Sequence, residues 1–172
     1  MITARLHGRL GNQMFQYAAA RALAERLGVA VALDSREAVR RCEGVLTRVF
    51  DLELTDPAPR PPLKKEAPLR YALWRAFGSA PTFRRERGLG YNPGFATWGD
   101  DSYLHGYWQS ERYFADIANR VLADFSFPDF TNSQNAEMAD RIREATAISL
   151  HVRRGDYLTL GAHVLCDQAY YE

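Results

Sequence analysis

Two adjacent arginines, a glycine, an aspartate and a tyrosine, Arg153-Arg154-Gly155-Asp156-Tyr157, follow the apolar run Ala147-Ile148-Ser149-Leu150-His151-Val152. The run is polar only at Ser149 and His151 and reads as a buried strand, so the charged residues fall where that strand opens into a loop. In open α/β sheets, ligands sit in the crevice outside the carboxyl ends of the strands. Arginine suits phosphate there, because its planar fork gives bidentate, permanently charged hydrogen bonds. Gly155 lets backbone approach a ligand closely, and Asp156 sets a carboxylate beside the cation pair. The pattern points to a phosphorylated donor such as a nucleotide sugar. Its plainer counterpart is a surface ion-pair loop of little energetic weight. The tripeptide Arg154-Gly155-Asp156 also spells an adhesion motif. That reading is set aside, because it needs an exposed loop on a secreted protein.

A second group of candidate residues stands near the start. Ile2 to Leu6 reads as a strand, followed by His7-Gly8-Arg9-Leu10-Gly11-Asn12-Gln13. A helix is expected from about Gln13 to Leu27, alanine-rich and ended by Gly28, with Phe15, Ala19, Ala22 and Leu23 as its packed stripe. Val29 to Leu33 is the next strand, closed by Asp34. This βαβ opening sets a glycine loop against a helix N-terminus. The loop is Gly8-x-x-Gly11 and lacks the third glycine of a dinucleotide fingerprint, although Asp34 stands where a ribose-binding acid would. Asn12 and Gln13 carry amides that can exchange hydrogen bonds with a base or a sugar hydroxyl. Asn12 could equally cap the helix.

The remaining elements must hold these loops in place. A strand is expected at Val49 to Leu54, then a stiff linker through Pro57, Pro59, Pro61 and Pro62. Leu69 to Phe77 reads as a helix stopped by Gly78. Arg84, Arg85 and Arg87 read as a solvated face, and Gly88 to Gly99 as a loop or hairpin. Tyr103 to Trp108 is a strand candidate, with Tyr107 and Trp108 packing in a core or stacking on a sugar. Ser110 would cap a helix from Glu111 to about Phe125, burying Phe114, Ile117, Val121, Leu122 and Phe125. A further helix, roughly Gln134 to Ala145, would turn Met138, Ile142 and Ala145 inward. Asp167 to Glu172 looks like a cap and one helical turn, too short to hold alone. The expectation is therefore a fragment, with domain one over residues 1–146 and the start of a second over 147–172.

Composition narrows the classes. The chain has 172 residues, 47% apolar and 25% charged, with net charge +1. That is ordinary for a soluble domain and argues against nucleic acid or an anionic membrane as a partner. Of 22 basic residues only Lys64 and Lys65 are lysines. Cys42 and Cys166 are in no metal-binding spacing and read as free thiols of a reducing compartment, with one disulfide as the alternative. Neither a signal peptide nor a membrane-spanning run is visible, so a cytoplasmic location is expected.

Three ordered segments resemble the α-1,2-fucosyltransferases of glycosyltransferase family 11: Gly8-Arg9-Leu10-Gly11-Asn12-Gln13-Met14-Phe15-Gln16-Tyr17, Gly106-Tyr107-Trp108-Gln109-Ser110-Glu111-Arg112-Tyr113-Phe114, and His151 to Tyr157. The resemblance implies an α/β fold, a Rossmann-like open parallel sheet forming the N-terminal, acceptor-side half of a GT-B-like enzyme. It implies inverting, α-1,2 transfer of fucose from GDP-fucose to a terminal galactose-type hydroxyl, with no cofactor and no required metal. His151, Arg153, Arg154 and Asp156 would meet the GDP diphosphate, Arg153 neutralising the departing β-phosphate. Asn12, and more weakly Arg9, would lie near the donor at the interdomain cleft. Asp156 is the candidate base, with a role in holding the arginines as its alternative. The missing C-terminal half would complete the donor pocket in cis. Bacterial members assemble surface polysaccharide or lipid-linked oligosaccharide, which fits peripheral contact with the inner membrane. The rivals are a non-catalytic nucleotide- or glycan-binding module complete at this length, and a nicotinamide-dependent oxidoreductase.

Overall fold

The computed structural model of the chain describes residues 1–40, 45–52, 54–55, 61–64, 66–78, 82–88, 90–150, 152 and 170. They group into two compact units, Met1–Pro128 and Asp129–Glu172.

The first unit is built on a four-stranded parallel sheet, as a Rossmann-like α/β domain is. Its strands are β1 (Ile2–Arg5), β2 (Val31–Asp34), β3 (Phe83–Arg85) and β4 (Tyr103–His105), in the order β2-β1-β4-β3. The chain leaves β1 for β2 on one side, then crosses to build β3 and β4 on the other. The carboxyl ends of β1 and β4 therefore flank the point where winding reverses, the usual place for a ligand.

Helix α1 (Leu10–Leu27) packs on this sheet. It ends as expected at Gly28, whose φ of 65° is the left-handed conformation glycine adopts without strain. It begins three residues earlier than expected, with Arg9 at the cap position and no side chain capping it. Asn12 is thus not the N-cap but lies inside the first turn. The buried face is also broader than the expected stripe, running from Tyr17 through Ala20 without a break, because alanine lets the backbone sit close to the sheet. Polar bonds fix its outer side. The Tyr17 hydroxyl donates to Asp124 at 2.8 Å, and Arg26 forks onto both oxygens of Asp116 at 2.8 Å each.

Several expected elements take another form. No strand forms among the described residues of Val49 to Leu54. The chain instead makes a 3-10 turn at Leu46–Arg48 and buries Phe50, leaving one parallel bridge between Thr55 and Ala32. Short helix α2 (Arg36–Arg40) follows β2, and α3 (Pro68–Leu73) runs into a π turn at Trp74–Gly78. Of the arginines expected on a solvated face, Arg84 and Arg85 belong to strand β3, with Phe83 stacked on Tyr103 at 5.6 Å. Arg84 is half-buried, while Arg85 and Arg87 are exposed. Strand β4 stops at His105, before Trp108. Beyond it, the expected helix from Glu111 breaks into 3-10 turns at Glu111–Tyr113 and Ala115–Ile117 and then α4 (Ala118–Asp124). Tyr113 packs on Phe95 at 4.7 Å while its neighbour Phe114 meets Phe15 at 6.0 Å. A straight helix with a single buried stripe cannot serve both contacts. Leu122, expected inside, is 71% exposed.

In the second unit the described helix is α5 (Ser133–Glu144), capped by Asn132, whose Oδ1 accepts from the Asn135 N–H at 3.1 Å. Met138 and Ile142 face solvent, contrary to the expected inward stripe. Ala147 to Leu150 is not a strand, and Ile148 is 95% exposed. An apolar run becomes a buried strand only where a neighbouring strand pairs with it, and α5 offers no such edge. Among the described residues no helix is long and apolar enough to cross a membrane.

Candidate functional site at the carboxyl ends of β1 and β4

The loop after β1 is held from below by two glutamines of α1, both fully buried. Gln16 pairs with the backbone of His7 on both sides. Its Oε1 accepts from the His7 N–H and its Nε2 donates to the His7 carbonyl, each at 3.0 Å. Gln13 donates to the Gly8 carbonyl at 2.8 Å and accepts from the Leu46 N–H at 3.0 Å. Buried amides satisfied this fully fix a loop in one conformation. Gln13, read in the sequence as a group for a base or a sugar hydroxyl, is therefore a clamp beneath the loop. Gly8 turns the chain at φ 75°, and a Cβ there would stand 2.5 Å from Asn12 Nδ2. Only glycine leaves Asn12 its place.

The loop after β4 is held from the side. Glu86, just past β3, accepts from the N–H groups of Tyr107 at 2.6 Å and Trp108 at 3.0 Å. Trp108 adopts φ 55°, a left-handed conformation that a bulky residue keeps only when its surroundings impose it. The two anchors are this carboxylate and the packing of a side chain that is 1% exposed. The two expectations for the aromatic pair divide: Trp108 is core, while Tyr107 is partly exposed with its ring 4.6 Å from that of His7.

The two loops meet. Gln109 Nε2 donates to Asn12 Oδ1 at 2.7 Å, joining the first and second motif segments. A cleft of about 250 Å³ is lined by Arg5 and His105 at the ends of β1 and β4, by His7 of the first loop, and by Glu37, Lys64 and Arg85, among others. Arg5 is paired to Glu37 at 2.6 Å. The His105 ring sits 5.6 Å from His7, and its Nδ1 has no hydrogen-bond partner. Burial pushes His105 down to about 3, helped by the cations Arg5 and Arg85 and by His7, so the imidazole stays neutral in this cleft. A neutral imidazole beside guanidinium groups can hold hydroxyls and an anionic group together.

Asp34, at the end of β2, does not take a ribose. It is 1% exposed, Arg36 forks onto its two oxygens at 2.8 and 2.7 Å, and the Tyr103 hydroxyl donates to it at 2.7 Å. Burial alone would raise this carboxyl, but the bonds from Arg36 and Tyr103 outweigh it and hold it below the usual carboxylate range. With no free oxygen to offer, Asp34 removes the main support for a dinucleotide site.

Of the residues singled out from the sequence, Asn12 is in this cluster and Arg9 is exposed at the cap of α1. His151, Arg153, Arg154 and Asp156 lie outside the described residues, as do Cys42 and Cys166. The sequence reading missed Gln16, Glu86 and His105. Gly106 was the available signal for Glu86, because a glycine inside an apolar strand pattern marks a close approach.

Two comparisons with known proteins bear on the motif segments, the first of them on the second and third segments alone. Residues 95–172 match the model of Glycosyl transferase family 11. The chain is also similar to an alpha-1,2-colitosyltransferase of Escherichia coli, 30% identical over 182 aligned positions that cover 99% of this chain and 61% of the relative. The chain thus spans about three fifths of the curated relative's length. No solved structure matches it.

Proposed function

We propose that this chain, a family 11 glycosyltransferase sequence over residues 95–172, is the acceptor-side region of an inverting α-1,2-fucosyltransferase of GT-B architecture. The observation that carries the reading is the Asn12–Gln109 bond. It brings two sequence-distant motif segments to the one edge of the sheet where an α/β domain binds its ligand.

In this reading GDP-fucose is the donor and a terminal galactose-type hydroxyl the acceptor. The hydroxyl oxygen attacks the anomeric carbon, the bond to the β-phosphate oxygen breaks, and the hydroxyl proton passes to a base, for which Asp156 is the candidate. Arg153 neutralises the charge that grows on the departing diphosphate, with Arg154 and His151 beside it, and no metal is required. Asn12 and the exposed Arg9 are the donor-binding candidates of the first unit. Residues 1–146 form the acceptor-side domain, 147–172 begin the donor side, and a further C-terminal part completes the pocket. The name of the related enzyme makes a colitosyl group the second candidate for the sugar transferred.

The test is calorimetric titration of GDP into the chain, repeated with Arg153→Ala. Binding at millimolar concentration or below that disappears in the variant places the diphosphate at this loop. Binding that survives Arg153→Ala overturns the site assignment. A folded chain that binds no GDP shifts the donor site to the further C-terminal part.

A further inference from the structure

A second, larger cleft of about 950 Å³ opens beside β3. Arg84, Arg85 and Arg87 line it together with Tyr91, Trp98 and Trp108. Among the described residues these three arginines form no ion pair. The one acid in the wall, Glu86, gives its carboxylate to the Tyr107 and Trp108 N–H groups. Three like charges over four residues repel one another, and an anion placed between them relieves that repulsion.

The arginines are also oriented. The Arg84 guanidinium lies over the Trp98 ring, 5.2 Å from its centroid, which leaves its edge free for a bidentate acceptor. Two donors in the wall lack acceptors: Arg84 Nε, and Nε1 of Trp108, a residue that is 1% exposed. Tyr91 and Trp98 are partly exposed here, each with a guanidinium over one face, Arg112 at 4.0 Å and Arg84 at 5.2 Å. Such rings suit the apolar face of a pyranose on the other side, with the charged substituent directed at the arginines.

We propose that this cleft binds an anionic saccharide, a sugar unit bearing a carboxylate or a phosphate. The site is independent of the donor reading above, since it uses none of residues 151–156. Arg85 lines both clefts, so a glycan seated here would extend towards the edge where His7 and His105 lie.

Two of the chain's three tryptophans line the cleft, so their fluorescence reports occupancy directly. The chain is titrated with galactose, galacturonic acid, galactose 6-phosphate and inorganic phosphate, and the series repeated with Arg84→Gln and with exposed Arg87→Gln, each checked for folding by circular dichroism. The expected result is a change in emission with one or both anionic sugars at concentrations about tenfold below galactose, weakened about tenfold or more in each variant and unchanged in Arg153→Ala. The carboxylate and phosphate sugars separate the two sources of charge. The proposal is overturned if galactose binds as well as the anionic sugars, if inorganic phosphate alone matches the sugar phosphate, or if both arginine variants bind as the wild type does.

Discussion

Asn12 Oδ1 accepts a hydrogen bond from Gln109 Nε2 at 2.7 Å across 97 positions of chain, on a surface open to solvent. An exposed side-chain bond contributes at most about 0.5–1.5 kcal/mol, because water competes for both partners. Stability alone does not require it. The residues that fix the two loops lie underneath: Gln13 and Gln16 under one, Glu86 beside the other. The amide pair sits on top of that rigid base, where a ligand would meet it. Geometry of this kind belongs to positioning.

Asn12→Ala should lower stability by less than about 1 kcal/mol, and Gln109→Ala by no more. A double-mutant cycle by urea denaturation should give a coupling of about 0.5 kcal/mol. Under the proposed transferase function both substitutions should reduce the kcat/KM of sugar transfer by about tenfold or more while the melting temperature stays nearly constant. If turnover is unaffected by either, the pair has no part in the site.

Gly106 lies against Glu86, and a Cβ at Gly106 would stand 2.3 Å from Glu86 Cβ and 2.7 Å from its Oε2. Gly106→Ala must therefore push away the carboxylate that holds the Trp108 turn. The expected loss is about 2–3 kcal/mol, the range of overpacking together with broken hydrogen bonds. Gly11 is the control, because it sits in the first turn of α1 with nothing within 4 Å of its Cβ position. Gly11→Ala should be neutral or stabilising by up to about 1 kcal/mol. Thermal unfolding of the two variants side by side decides the point, and equal melting temperatures would contradict it.

The parts of this fold legible in the sequence are those where a single local signal governs the backbone. Gly28 ends α1, Gly78 closes the π turn after α3, and the first βαβ unit follows from apolar periodicity and its turn residues. Strand β3 was hidden because its signal is split. Phe83 packs on Tyr103, but Arg84 is half-buried against Trp98 and reads as surface charge in any hydropathy pattern. Gln13 and Gln16 were hidden for a related reason. Burial with complete hydrogen bonding makes a polar residue behave as core, and no periodicity distinguishes that from exposure. Ala147 to Leu150 shows the opposite limit, since an apolar run states a need for partners without supplying them.

His105 should make the protein sensitive to mild acid. Burial, with Arg5, His7 and Arg85 nearby, lowers its pKa from 6.5 to about 3, and Glu37 opposes this only weakly. Between those two values the unfolded chain binds a proton at this residue that the folded chain refuses. Stability therefore rises with pH across the window. The contribution is present in full above pH 6.5 and is lost progressively as pH falls towards 3. Replacing the ring with an amide that does not titrate removes this dependence. Urea midpoints measured from pH 7 to pH 4 should fall for the wild type and fall less steeply for His105→Gln, whatever the variant's stability at pH 7. Carboxylates titrate in both proteins and cancel in the comparison. Parallel pH profiles for the two proteins would mean that His105 takes up a proton in the folded cleft, and the neutral imidazole would have to be abandoned.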